Sequence, residues 1–255
     1  MSETSDSLLK IVNASGFLFQ LRVAQEIQNT FDTHRWKVVG QEHRWEDKDS
    51  KREGFIDIVA EKEAMRISIE CKRIQEDGSW IFLVPKTSSE DVSRARIHWT
   101  FSELSALPLL GWDELFLAPQ SKESAICLIR GTGPKDKPML ERLADSILPS
   151  TESLALEEAR IRNSTRSGYT AVYLPLLVTN ANLQICLFDA DDISLQTGKL
   201  EKSNVTFETV PYIRFRKNLS TNARSLKKPQ NLMEANQENE RSIFIVNNPS
   251  CYLTR

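Results

Sequence analysis

Two acidic residues and a lysine follow one another at the spacing of a paired β-hairpin. The segment around Asp57 is apolar apart from that aspartate, whereas the segment around Glu70 alternates polar and apolar residues. If the turn falls at residues 63–64, midway between the segments, Asp57 lies opposite Glu70. Cross-strand partners are about 5 Å apart, and Lys72 projects from the same face as Glu70 because it lies two residues further on. The sequence therefore predicts two carboxylates and one amine in one place.

These residue types are suited to hydrolysing a phosphodiester. A carboxylate inside an apolar strand is costly unless a cation or a hydrogen-bond donor compensates it, so Asp57 needs Mg²⁺ or Lys72 nearby. The carboxylates of Asp57 and Glu70 and the backbone carbonyl of Cys71 are hard ligands that would bind Mg²⁺ or Mn²⁺. The ion would polarise the phosphate and activate a water, while Lys72 would orient or deprotonate that water. The same spacing is also compatible with a simple salt bridge on an exposed sheet face, which contributes about 0–1 kcal/mol.

Periodicity predicts the elements that position these residues. A helix is expected at 16–30, a strand at 36–45, a charged hairpin loop at 44–53 and a second helix at 88–107. Further strands are expected at 115–117, 125–129, 170–178, 183–188 and 242–246, with a helix at 139–162. On the strand that carries Glu70, the apolar residues Ile67, Ile69 and Cys71 are expected to face the core. This order of elements indicates an α/β fold with a mixed central sheet flanked by helices.

A stretch rich in glycine, proline and lysine at 131–138 is typical of a linker. We therefore expect a core at 8–130 and an α/β C-terminal extension at 131–255 that packs on the same sheet, or one continuous domain. Neither an apolar signal segment nor a membrane-spanning stretch is evident, which predicts a cytoplasmic protein. The four cysteines form no CxxC pair, so a zinc ribbon is not indicated.

The pattern Gly54-Phe55-Ile56-Asp57-Ile58-Val59-Ala60, followed by Ile67-Ser68-Ile69-Glu70-Cys71-Lys72, resembles the core motif of the PD-(D/E)xK nuclease superfamily. The Mrr-like branch of these restriction-endonuclease-like proteins is the most similar, and the resemblance spans roughly residues 10–130. It implies a restriction-endonuclease-like core and a Mg²⁺-dependent endonuclease of DNA, in defence against foreign DNA or in DNA repair. It also implies that Asp57, Glu70 and Lys72 are catalytic.

The resemblance extends to the preceding helix, where the family often has a glutamate facing the metal. Gln20 takes that place here and brings no charge, although its carbonyl oxygen could still act as a weak ligand. Two other functions stay open: a catalytically inactive nuclease fold that binds nucleic acid or protein, and an RNA nuclease. Cutting both strands of a duplex with one site per chain would require two copies, which leaves a homodimer open.

Local basic residues would have to hold the substrate, because the net charge is −2. Lys51, Arg52 and Arg73 flank the predicted catalytic strands and are expected to contact the nucleic-acid backbone. A second basic stretch at 211–230 contains no acidic residue, and it includes Arg214, Arg216 and Lys217. It is expected either to bind phosphates or to form a solvated connection to the last strand.

Overall fold

The computed structural model describes residues 2–47, 51–74, 78–102, 109–129, 138–164, 168–219 and 229–247 of the 255-residue chain. Its α-helices are α1 (Ser2–Ala14), α2 (Phe17–Asn29), α3 (Phe31–His34), α4 (Met139–Ser164) and α5 (Leu232–Asn239). Its first strands are β1 (Lys37–Asp47), β2 (Arg52–Lys62), β3 (Met65–Lys72), β4 (Ser79–Pro85), β5 (Val92–Ser102), β6 (Leu109–Ser121) and β7 (Glu123–Ser124). The remaining strands are β8 (Cys127–Ile129), β9 (Tyr169–Thr179), β10 (Asn182–Phe188), β11 (Val205–Thr209), β12 (Tyr212–Asn218) and β13 (Glu240–Val246).

Nine strands form a mixed central sheet. Seven of them follow the order β1-β2-β3-β9-β13-β12-β7, and the other two branch from it, with β5 paired to β9 and β6 paired to β5. Strand β9 is its branch point, because one edge pairs with β3 while the other pairs first with β5 and then with β13. The first three strands are antiparallel, whereas β3 and β13 run parallel to β9. Strands from both predicted segments of the chain therefore share one sheet, and the expected boundary near 131 lies outside the described residues.

Helices cover both faces of this sheet, as predicted. On one face, α2 buries Val23, Ala24 and Ile27 against the apolar side chains of β2 and β3. On the other face, α4 packs against β3, where the Ser68 hydroxyl lies 2.5 Å from that of Thr151. A second sheet, of order β11-β10-β4-β8, shares a further core with α4. Within the described residues, no helix combines the length and the hydrophobicity that crossing a bilayer demands.

The predicted helix at 88–107 is wrong, because β5 occupies Val92–Ser102 and residues 103–108 lie outside the described part. Apolar residues in this segment alternate with polar ones, from Ala95 to Phe101, which is the two-residue period of a strand. The polar side is also buried, since Arg96 and His98 are almost inaccessible to solvent. The helix predictions at 16–30 and 139–162 are confirmed by α2 and α4.

The charged segment 44–53 is largely strand rather than loop, which corrects the prediction. Strands β1 and β2 continue pairing to Asp47 and Arg52, and only residues 48–50 between them are outside the described part. The pair is stabilised across the strands by a 2.7 Å salt bridge between Arg44 and Glu53. The described charged side chains of this segment are exposed or half-buried, so their charges do not oppose strand formation, whereas Trp45 between them is buried.

Candidate catalytic site

The register of the β2–β3 hairpin brings Asp57 and Glu70 to the same level of the sheet. Strand β2 pairs with β3 from Lys62 opposite Met65 to Ile58 opposite Ile69. The two-residue turn therefore falls at 63–64, as predicted, and its first residue, Glu63, has a positive φ of 51°. One step beyond the last pair, Asp57 and Glu70 are next to each other on adjacent strands.

Strands β2 and β3 separate at this point, which opens the sheet beside the two acids. Beyond Ile58, β2 remains paired only with β1, and beyond Ile69, β3 remains paired only with β9. The Asp57 carboxylate lies in the gap and accepts a 2.7 Å hydrogen bond from the backbone N–H of Cys71. The Asp57 side chain thus takes the place of a backbone acceptor in the ladder between β2 and β3. The hydrogen bond from the Cys71 N–H fixes the position of its carboxylate.

The two faces of β3 have different roles. Ile67, Ile69 and Cys71 contact the core beneath α2, which confirms their predicted orientation. The opposite face carries Arg66 and Ser68, which contact α4, and strand geometry continues this face to Glu70 and Lys72. This face is not exposed along the first half of the strand, because α4 covers Arg66 and Ser68.

Burial and mutual repulsion raise the pKa of both carboxyl groups. Desolvation is the main cause for Glu70, whose pKa is raised to about 7, and the Asp57 charge adds to it. The pKa of Asp57 is raised chiefly by desolvation, which the hydrogen bond from Cys71 opposes. The Lys72 charge lowers the pKa of both carboxyl groups. Within the described residues no salt bridge joins Lys72 to either acid, so the three groups do not form the exposed salt bridge that the sequence left open.

Glu42 is a third acid at this site, and the sequence analysis missed it. Neighbouring β1–β2 pairs place Glu42 at the level of Asp57, with Gln41 opposite Ile58 and His43 opposite Ile56. Its charge raises the pKa of both Asp57 and Glu70. Glu42 also has a positive φ of 50°, a backbone conformation that is unfavourable for a residue with a side chain and is concentrated at functional sites.

Gln20 connects α2 to these acids through its side-chain amide, and its predicted role as a weak metal ligand stays a prediction. Its amide nitrogen donates to the Glu42 carboxylate at 2.5 Å and to the backbone carbonyl of Asp57 at 2.9 Å. Gln20 is buried, and it is the nitrogen rather than the carbonyl oxygen that contacts the acids. A glutamate at this position would repel Glu42, whereas the neutral amide orients it. The Glu42 carboxylate of β1 therefore lies against the Gln20 amide of α2.

The predicted phosphate-binding residues are placed differently from one another. Lys51 and Arg52 are exposed at the tip of the β1–β2 hairpin, roughly 17 Å along the strand from Asp57. Arg73 donates to the carbonyl oxygens of Asn13 and Ser15, so it caps the end of α1.

In the described part of the basic stretch at 211–230, the three basic side chains bind other groups of the protein. Arg214 is 1% exposed and donates to four backbone carbonyls, of Val92, Arg94, Leu117 and Pro119, at 2.6–3.2 Å. This position does not fit its predicted role on a nucleic-acid surface, because a buried guanidinium holding strands together is out of reach of a phosphate. The next two basic residues are neutralised by carboxylates. Arg216 forms salt bridges with Glu114 and Glu240, and Lys217 forms one with Glu141. Residues 220–228 lie outside the described part.

No closed metal cage is present in the part of the chain that the structure describes. There, no group of three or more histidine, cysteine, aspartate or glutamate side chains is placed to hold a metal ion. The backbone carbonyl of Cys71 stays a predicted metal ligand. The contact of Cys71 with Asp57 is made by its backbone N–H and not by its carbonyl oxygen. Comparison with known proteins adds nothing to this picture, because no protein-family model, no curated protein and no solved structure matches the chain significantly.

Proposed function

We propose that this protein is a metal-dependent endonuclease that hydrolyses DNA phosphodiester bonds, built on a restriction-endonuclease-like core. One observation carries the proposal: Asp57 and Glu70 meet where β2 and β3 separate, and Lys72 follows on the same face of β3. Asp57, Glu70 and Lys72 are each partly exposed to solvent, which is the access that a phosphate group would need. The sequence motif and the geometry support the same three residues.

The donors at this site fit a hard divalent cation such as Mg²⁺ or Mn²⁺. Both carboxyl groups have raised pKa values, which means that the positive charge around them does not offset their burial. Mg²⁺ is commonly held by one or two carboxylates together with waters and substrate phosphate oxygens, so a cage of three protein ligands is not required. Asp57 and Glu70 would hold the ion, and Glu42, oriented by Gln20, would add negative charge beside it.

A bound divalent ion would supply the Lewis-acid chemistry that polarises the phosphodiester. The protein's own residues do the rest. Hydrogen bonding from Cys71 fixes the Asp57 carboxylate, and the Gln20 contact to the Asp57 carbonyl fixes its backbone. Lys72, which forms no salt bridge within the described residues, keeps its ammonium available for the negative charge that grows on the phosphate during attack by water. Lys72 can also orient that water or accept its proton.

The alternative function is a nuclease fold that binds nucleic acid or protein without cutting it. The absence of a closed cage among the described acids favours this alternative. The internal contacts of Arg73, Arg214, Arg216 and Lys217 favour protein rather than nucleic acid as its partner. RNA is an alternative substrate, because the three groups act on the phosphodiester and not on the sugar.

A cleavage assay separates these functions. The full chain would be incubated with supercoiled plasmid, linear duplex DNA and RNA, with Mg²⁺, with Mn²⁺ or with EDTA. We expect metal-dependent cutting of DNA, and its loss in Lys72→Ala with an unchanged melting temperature. A matched control is Lys62→Ala, which removes a lysine at the far end of the same hairpin. If the protein cut only RNA, RNA rather than DNA would be its substrate. The proposed catalysis would be contradicted by the absence of any cutting, and also by full activity in Lys72→Ala.

A further inference from the structure

Two exposed phenylalanines border the candidate catalytic site, one on β2 and one on α2. Phe55 is 55% exposed and Phe17 is 61% exposed. A single exposed apolar residue is common on a protein surface and implies no function by itself. These two residues, however, are both tied to Asp57, and they reach it from different elements of the fold.

Phe55 lies on an open edge of β2. It precedes Asp57 by two residues, so strand geometry places the two side chains on the same side, roughly 7 Å apart along the strand. Phe55 pairs with Arg44 of β1, whereas the described pairing of β2 with β3 reaches no further than Ile58. Phe55 is therefore next to the point where β2 and β3 separate.

Two hydrogen bonds hold Phe17 near the same point. Gln20 lies one helical turn after Phe17 on the same side of α2, and its amide donates to the backbone carbonyl of Asp57 at 2.9 Å. Ser15, two residues before Phe17, accepts a 3.4 Å hydrogen bond from Arg73, which directly follows β3. Phe17 is the first residue of α2, so this end of the helix is fixed between Asp57 and the end of β3.

Exposed cations lie on the same hairpin as Phe55. Lys51 and Arg52 are exposed and precede Phe55 by four and three residues. Proteins that bind single-stranded nucleic acid combine these two kinds of residue, because cations contact the phosphates and the bases stack on aromatic rings. The elements around the site therefore offer both parts of a single-strand binding surface.

An unpaired strand fits these features better than a duplex does. Stacked base pairs cover the faces of the bases in a duplex, so a phenyl ring can stack only on a base that lies outside it. Duplex binding depends strongly on basic residues that contact phosphates. Arg214, Arg216 and Lys217, which the sequence assigned to that role, bind groups within the protein instead.

We propose that Phe55 and Phe17 stack on the bases of the DNA strand at the site, and that this strand is single-stranded. The inference rests on the proposed function, from which it takes DNA as the substrate, and it adds the form of that DNA. Each phenylalanine is a specificity residue here, since its ring contacts a base and not the phosphate that is attacked.

Binding in EDTA tests this inference without any cutting. The full chain would be titrated at low salt into a fluorescein-labelled single-stranded DNA oligonucleotide and into a blunt duplex of the same sequence, with fluorescence anisotropy as the readout. The wild type should bind the single strand more tightly than the duplex. Phe55→Ala and Phe17→Ala should each weaken single-strand binding by about 5- to 100-fold, as expected for the loss of one stacked base.

Two further variants separate stacking from a structural effect. Phe55→Trp should keep the affinity, because an indole ring stacks on a base as a phenyl ring does, whereas Phe55→Leu should lose it although leucine is also apolar. The matched control is Phe207→Ala on β11 of the second sheet, which is 56% exposed and should leave the affinity unchanged. Since all three phenylalanines are exposed, the variants should fold, and circular dichroism would verify this.

The proposal would be overturned by equal binding of duplex and single strand, by unchanged affinity in both alanine variants, or by a Phe55→Trp variant as weak as Phe55→Ala. A wild type that binds no oligonucleotide would assign the two phenylalanines to a protein partner and would overturn it as well. The test is distinct from that of catalysis. Single-strand binding that depends on both phenylalanines, in a protein that cuts nothing, would support this inference while the proposed hydrolysis fails.

Discussion

Replacing Glu70 with glutamine should stabilise the metal-free protein at alkaline pH. The pKa of Glu70 lies at about 7 in the folded protein against an ordinary value of 4.5, so the folded state binds this proton more tightly than the unfolded state does. The contribution of Glu70 to stability is therefore fully present below about pH 4.5 and is lost as the pH rises through 7. Each tenfold difference in proton affinity corresponds to about 1.36 kcal/mol, so the ionised Glu70 destabilises the fold by about 3 kcal/mol above pH 7.

Glutamine has nearly the same shape and cannot ionise, so Glu70→Gln should recover most of this free energy. The assay is urea unfolding in EDTA at pH 8 and at pH 4.5, together with thermal melting. At pH 8 the variant should be more stable by about 2–3 kcal/mol, or about 5–10 °C in melting temperature for a chain of this size. At pH 4.5 the difference should largely disappear.

A matched control is Glu208→Gln on β11, where the side chain is exposed and the substitution should change little at either pH. Saturating Mg²⁺ at pH 8 should reduce the difference in the free energy of unfolding between the wild type and Glu70→Gln, because the ion would stabilise the wild-type carboxylates and not the amide. If Glu70→Gln were destabilising at pH 8, or if its effect did not depend on pH, the account of an uncompensated buried carboxylate would be refuted.

Two further substitutions test the surroundings of the site. Gln20→Glu replaces a hydrogen-bond donor to Glu42 with a second negative charge, so it should lower the free energy of unfolding at pH 8 by about 1–3 kcal/mol, and Mg²⁺ should restore part of the loss. An equally stable Gln20→Glu variant would show that the Glu42 contact is not formed. Arg214→Leu removes four hydrogen bonds to buried carbonyls and should lower the free energy of unfolding by at least about 3 kcal/mol. If Arg214→Leu kept its stability but bound DNA more weakly, Arg214 would have to contact nucleic acid, as the sequence analysis predicted.

The β2–β3 hairpin was predictable because its pattern is local. An aspartate in an apolar run and a strictly alternating strand leave one sensible register, with the turn midway between them, and that register is the one observed for Ile58 and Ile69. Cross-strand geometry then places Asp57 beside Glu70 without knowledge of the rest of the fold. The separation of β2 from β3 depends on their other partners, β1 and β9, and no local pattern encodes it.

Other features depended on tertiary contacts. Glu42 reaches the site because β1 contains an irregularity between Val38 and Gly40, which shifts its register with β2 by one residue. The burial of Arg214 was hidden because a run of basic residues usually indicates a solvated surface, whereas here carbonyls from β5 and β6 satisfy the guanidinium. Strand β5 was mistaken for a helix although it alternates from Ala95 to Phe101, because several apolar residues also recur at helical spacing.

Binding of Mn²⁺ tests the central claim most directly, because it reports on the two carboxylates without requiring a substrate. Titration of the full chain at about pH 8, with free Mn²⁺ followed by electron paramagnetic resonance, should show a bound ion at a site that is lost in both Asp57→Asn and Glu70→Gln and kept in Lys72→Ala. A wild-type protein that binds no ion, or binding that survives both acidic substitutions, would contradict a metal centre at Asp57 and Glu70.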